Sequence, residues 1–302
     1  MAGYLSVNET IEKYIEGCKS KVEMSSNRLF GKAILAGAMI GMGAAASNVA
    51  AHAISNVGVA RFVAALVFPV GLMMVMLLGA ELFTGDCLVA MSVFDGKQKI
   101  YDVIRILVLV FLGNFVGATL LAILIVLSGQ LDYSSGLLGA YTIKVAIGKV
   151  NISLVEGVIS GVLCNILVCA AVLMAMSAKD ITGKLLSIFF TIMLFVTSGF
   201  EHCVANMYYI TAGMLAKEKS EYVKMAMDTY GYTKAQLEGL NIANYIVGNL
   251  LPVTIGNIIG GVLFFGLPIF FLNTTRVKRI KSNVKEEEKN VIRTTIFADT
   301  AR

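Results

Sequence analysis

Six apolar runs, each about long enough to cross a lipid bilayer, occupy most of this 302-residue chain. A spanning helix needs about 20 mainly apolar residues, because in lipid every backbone N–H and C=O must be satisfied from within the protein. The runs cover residues 33–60, 62–94, 104–127, 152–176, 185–216 and a stretch within 239–275. Glu81 and Asp86 interrupt the second run, and Glu201 with His202 the fifth. Charged residues make up only 15% of the chain, against about 25% in an ordinary soluble domain, and mean hydropathy is +0.78. The chain is therefore an all-α polytopic membrane protein with no room for a large soluble domain.

The ends and loops carry the charge. Residues 1–28 read as a polar, amphipathic helix at the membrane surface, 29–275 as the six-span body and 276–302 as a polar tail. Lys13, Lys19, Lys21, Arg28, Lys97, Lys99, Arg105, Lys179, Lys184, Arg276, Lys278, Arg279 and Lys281 gather on one side. Arg61, Lys144, Lys149 and the mixed loop 217–238 lie on the other. By the positive-inside rule both termini are cytoplasmic. The net charge of +5 is a topology signal and not a nucleic-acid surface. Five cysteines, four in apolar segments, do not form a disulfide framework. Glu201-His202-Cys203 is a poor metal site, since adjacent residues diverge around a helix, so neither metal nor cofactor is expected.

The halves repeat. "GAMIG" at 37–41 matches "GVISG" at 157–161, and "GAE" at 79–81 matches "GFE" at 199–201, both at an offset of 120 that also pairs Asp86 with Asn206. "GNFVGATL" at 113–120 is matched to "GNLLPVTI" at 248–255. Two repeats, about 29–128 and 149–275, of three spans each require the second to enter the membrane inverted, an arrangement common among transport proteins.

In both repeats the second helix is broken. A charge at bilayer depth costs about 2.5–3.5 kcal/mol even on the lenient scale, and Gly79, Gly85 and Gly199 permit a non-helical turn. Irregular backbone is tolerated there only if protein buries it or a polar cavity borders it. Each break starts a new helix whose unpaired N–H groups carry partial positive charge. Two such ends aimed at one midplane point would attract a small anion. Glu81 and Glu201 are expected to accept hydrogen bonds from backbone freed by the breaks, and Asp86 to face protein, since it would repel anions in a pore. His202, an ionisable group at depth, marks a pathway.

Breaks in spans 2 and 5 that read "AELFTG" and "SGFEHCVANM" resemble those of the formate/nitrite transporter family, over about residues 28–276. The resemblance implies an aquaporin-like fold, a homopentamer with a pore in each protomer, a bacterial inner-membrane location and passage of small monovalent anions such as formate, nitrite or hydrosulfide. Within the family the chain is most similar to the clostridial hydrosulfide channels. By motif, the resemblance makes Thr84 and His202 the central pair and Leu82 part of a narrow slit. It puts Phe68 and Leu72 in the outer half of the pore and Phe195 in the inner half. Asn165 falls near the histidine and Lys149 near the outer vestibule.

Two other classes fit less well. A haem protein using His52 and His202 as axial ligands would need them at one depth, yet His52 sits near the outer end of span 1. A neutral-solute pore would carry paired Asn-Pro-Ala breaks, which are missing. No nucleophile–base constellation points to an enzyme.

Overall fold

The computed structural model describes residues 3–274; the expected tail 276–302, with Arg276, Lys278, Arg279 and Lys281 of the topology reading, lies outside them. The chain is helical throughout this range, apart from an isolated bridge between Tyr4 and Ala178. An amphipathic helix α1 (Val7–Glu23) comes first, followed by α2 (Ser26–Ala51), α3 (Val57–Leu78), the short α4 (Phe83–Phe94) and α5 (Ile100–Leu127). The second half runs through α6 (Leu137–Val150), α7 (Leu154–Ser177), α8 (Ile181–Ser198), the short α9 (Cys203–Ala216), α10 (Ser220–Tyr230), α11 (Lys234–Glu238) and α12 (Asn244–Asn273). Among the described residues, α2, α3, α5, α7, α8 and α12 are long and apolar enough to cross a membrane.

The first span stops earlier than its charge-free run. Helix α2 ends at Ala51, and Asn56 caps α3 by accepting from the Val59 N–H. The linker between them is itself mostly apolar, so composition hides the turn and Arg61 falls inside a span. Two stretches expected as loop are helical. Helix α6 packs against α9, and α10 against α6.

Both breaks have one construction. Helix α3 ends at Gly79 with φ +68° and α8 at Gly199 with φ +73°. The following amides reach back five residues, Ala80 N–H to Val75 O and Phe200 N–H to Phe195 O, closing each helix in a Schellman-type turn that favours glycine at the left-handed position. Helix resumes at Phe83 and at Cys203. Gly85 is therefore not a break residue: it lies inside the resumed helix, where its carbonyl accepts from the Tyr14 hydroxyl.

Each short helix packs into the opposite half. Helix α9 lies against α2, α5 and α6, whereas α4 lies against α7 and the Gly260–Gly266 segment of α12. That segment is a π-helical turn, and a side chain at Gly261 would collide with Asn165, Cys87 and Cys169. The exchange joins the inverted halves around one centre.

Hydrogen bonds fix the true register of the repeat. Asn114 on α5 accepts from Phe83 N–H and donates to the carbonyls of Ala33 and Glu81. Asn257 on α12 accepts from Cys203 N–H and donates to the carbonyls of Gly161 and Glu201. The breaks are 120 residues apart, but Ala33 and Gly161 are 128 apart and Asn114 and Asn257 are 143 apart. "GAMIG" is thus eight residues out of register with "GVISG", and the counterpart of "GNFVGATL" is "GNIIGGVL" at 256–263, not "GNLLPVTI". Close packing explains the recurrence: a Cβ on Gly117 would lie 1.9 Å from Ile34 O, and one on Gly260 2.2 Å from Val162 O.

Candidate functional site

At the centre the two breaks meet. Leu82 and His202 are the residues immediately before α4 and α9. Thr84 Oγ1 lies 2.9 Å from His202 Nε2, and both residues are buried. His202 is also the cap of its helix, with Nδ1 accepting from Ala205 N–H at 3.0 Å. A ring nitrogen that accepts carries no proton, so the neutral tautomer bears its proton on Nε2 and donates to Thr84. Making the ring a cation would break the cap. The cap also defines the site's chemistry: a neutral N–H donor and a hydroxyl that can turn toward an anion.

The anion-attracting N–H ends are less bare than the sequence suggests. Asn114 and Asn257 already occupy the first amides of both short helices. An anion at this point would meet chiefly the Thr84–His202 pair, backed by the helix dipoles.

Two cavities approach the pair. The larger, about 440 Å³, is lined by Arg61, Lys144, Lys149, Glu201, Tyr209, Phe68, Phe195 and His202 among others. The smaller, about 50 Å³, is lined by Lys21, Glu81, Asp86, Leu72, Leu82 and Tyr14 among others. Phe68 and Phe195 meet edge to face with centroids 5.6 Å apart, and Phe195 also stacks obliquely near His202 at 6.0 Å. Phe195 thus belongs with Phe68 on the Lys149 face, and Leu72 with Leu82 on the Lys21 face. The sequence reading had exchanged Phe195 and Leu72, because helices α3 and α8 run in opposite senses past the centre and sequence order does not give depth.

Each mouth holds a lysine on a buried glutamate. Lys149 Nζ is 2.7 Å from Glu201 Oε1, while Asn206 donates to Glu201 Oε2 at 2.7 Å. Lys21 Nζ is 2.6 Å from Glu81 Oε2 and also pairs with Asp86. Lys32 adds a looser contact to Glu81 at 3.7 Å. Burial works against the Lys21 charge, but Asp86 and Glu81 more than offset it and hold the ammonium's pKa above its ordinary value. Lys21 and Lys149 are 128 residues apart, the same spacing as Ala33 and Gly161, so α1 and α6 occupy matching places in the two halves.

Glu81 and Glu201 do not accept from freed backbone N–H groups as expected; their side chains turn to lysines and asparagines. Their main-chain carbonyls, not their carboxylates, take the bonds from Asn114 and Asn257. Asp86 pairs with Lys21 but also borders the smaller cavity, so it does not face protein alone as the sequence leads one to expect. Asn165 is fully buried with its amide on the Asn257 carbonyl at 2.6 Å, and it borders neither cavity. His52 closes α2, its ring bonded to Val49 O and Ser134 Oγ. Lys21, Arg61, Tyr209 and the Asn114–Asn257 pair went unmarked in the sequence. Lys21 had a signal, its position 128 before Lys149, which the wrong repeat register concealed.

The sequence and fold have counterparts among known proteins. The sequence model for "Formate/nitrite transporter" matches residues 8–271. The "Formate channel FocA" of Haemophilus influenzae is 38% identical over 221 residues, covering 72% of this chain and 76% of that protein. Among solved structures, a "Pentameric formate channel with formate bound" superposes with a TM-score of 0.73 at 32% identity, over 82% of this chain and 97% of that one. An "FNT family ion channel" does so with 0.72 at 27% identity, over 88% and 99%.

Proposed function

The chain belongs to the formate/nitrite transporter family, and from that premise we propose that it is a channel passing a small monovalent anion through a pore in each protomer. The observation that carries the reading is the 2.9 Å contact between Thr84 and His202, with a lysine-bearing cavity on either side of it. The anion would gather at Lys149, Arg61 and Lys144, pass Phe68 and Phe195, and exchange part of its hydration for the Thr84 hydroxyl and the His202 N–H. It would then pass Leu72 and Leu82 and leave beside Lys21. Apolar constrictions turn back fully hydrated ions, because stripping a charge without replacing its hydration is expensive. Asn165 supports the path from behind by holding α7 to α12.

Hydrosulfide is the first candidate anion, from the overall likeness of the sequence. Formate is the second, and similarity to a protein named a formate channel supports it. The assembly is a homopentamer in a bacterial inner membrane, with both termini in the cytoplasm. The excess of Lys and Arg on the Lys21 side supports that orientation.

Flux into proteoliposomes, with hydrosulfide, formate and nitrite compared side by side and His202→Ala as control, tests the reading. Faster hydrosulfide flux supports the first candidate, and faster formate or nitrite flux replaces it. His202→Ala should slow the preferred anion at least tenfold, about 1.4 kcal/mol at the barrier. Unchanged flux in that variant would remove His202 from the path.

A further inference from the structure

The two mouths differ by one charge at one matched position. On the Lys149 face, one ammonium meets one carboxylate, Glu201, and Asn206 donates its amide to the same carboxylate. On the Lys21 face the residue 120 positions before Asn206 is Asp86, so one ammonium meets two carboxylates, Glu81 and Asp86. With Lys32 3.7 Å from Glu81 as the second cation, the fully ionised cluster is neutral, whereas the cavity on the other face carries Arg61, Lys144 and Lys149 against Glu201. Asp86 is 2% exposed, and its Oδ2 finds no hydrogen-bond partner among the described residues. Buried acceptors are ordinarily satisfied, and an orphan calls for a missing proton, water or ion.

Building on the anion-channel reading, we propose that Asp86 is the residue that sets anion admission from the Lys21 face, by binding a proton taken from solution on that face. With the proton on Oδ2, Asp86 becomes an O–H donor in the place where Asn206 offers its N–H, and Lys21 and Lys32 against Glu81 leave the cluster one net positive charge. Without it, the second carboxylate cancels that positive charge and raises the barrier to an anion passing Leu72 and Leu82. The other polar groups about Asp86 are Tyr14 and Cys18 from α1, the adjoining Cys87, and Cys169 from α7. Lys32 of α2 stands behind Glu81. None of these copies the position of Asp86 between Lys21 and the cavity. His202 is separated from it by Thr84 and tied to Ala205 N–H.

The test is formate and nitrite flux in proteoliposomes from mildly acidic to neutral pH, where both remain ionised, for the unaltered protein, D86N and N206D. The unaltered protein should conduct better as pH falls. D86N, nearly isosteric, should raise neutral-pH flux roughly three- to thirtyfold, the range for one charge removed at partly screened distance, and flatten the profile. N206D places the carboxylate on the other face and should lower neutral-pH flux and steepen the acid dependence; it decides the matter if D86N fails to assemble. Superimposable profiles for D86N and the unaltered protein would overturn the proposal and leave the anion path standing. No flux of formate, nitrite or hydrosulfide in the unaltered protein would remove the channel reading and this proposal together.

Discussion

Asn114 and Asn257 are the residues on which the breaks depend. Each is fully buried, accepts the first amide of a short helix and donates to two carbonyls. Replacing either with alanine strands two backbone groups at a break, the amide and the glutamate carbonyl, where water does not reach, since the Ala33 and Gly161 carbonyls keep their own helix bonds, and each stranded group costs about 1–3 kcal/mol. Asn257→Ala should therefore destabilise the protein by about 3 kcal/mol or more, read as a lower melting temperature in detergent, and Asn114→Ala by a similar amount. Asn273→Ala serves as a comparison, since that amide only bonds Ile269 O within its own helix, and should be nearly neutral. Equal losses at all three sites would mean the asparagines do not hold the breaks. Glu81 and Glu201 were legible as break residues because a carboxylate in an apolar run needs a reason. The asparagines were not, because "GN" occurs at 113, 248 and 256 and only hydrogen bonds tell which two correspond.

Among the elements, α1 differs most from its sequence reading. Its composition suggests a helix resting on the membrane surface, yet Thr10, Ile11, Tyr14, Ile15 and Cys18 form a face buried against protein. Tyr14 reaches the resumed helix α4 through Gly85 O, and Arg105 of α5 holds the helix end through the carbonyls of Val22 and Met24. Burial pushes the Cys18 thiol up to about 12. A thiol reagent acts on the thiolate, so Cys18 should resist maleimide in the native protein at neutral pH and react after denaturation. The other four cysteines are buried as well, which makes total native labelling a clean readout. Rapid native labelling at Cys18 would mean that α1 is not seated. A lysine in the smaller cavity depends on that seating, since Lys21 comes from α1. The six spans and both breaks were legible because lipid imposes length and satisfaction on each segment separately. Helix α6 was not, because its burial comes from neighbours and leaves little periodic signal, whereas α10 is amphipathic but sits in a charged stretch that reads as loop.

For the whole molecule, large apolar side chains such as Leu78, Leu127 and Leu272 remain exposed on the single chain. Lipid or neighbouring protomers would cover them. If the proposed assembly holds, native mass spectrometry of the detergent-purified protein should show five copies, and a monomer or trimer would withdraw the pentamer. The exchange of short helices between halves also means that neither half has a complete core alone. Cutting the chain between repeats should yield two fragments that are unstable apart and recover structure when expressed together.

The sequence by itself determined the membrane class, the number of spans, the two broken helices and the acids that mark them. Those follow from the cost of placing charge and unpaired backbone in lipid, which acts locally and shows in a single segment. Tertiary structure alone decided the repeat register, the depth of Phe195 and Leu72, the docking of Lys21 opposite Lys149 and the pairing of Asp86. Those depend on which glycines let two backbones touch and on which distant side chain meets a given carboxylate, and neither is fixed until inverted halves close on one another.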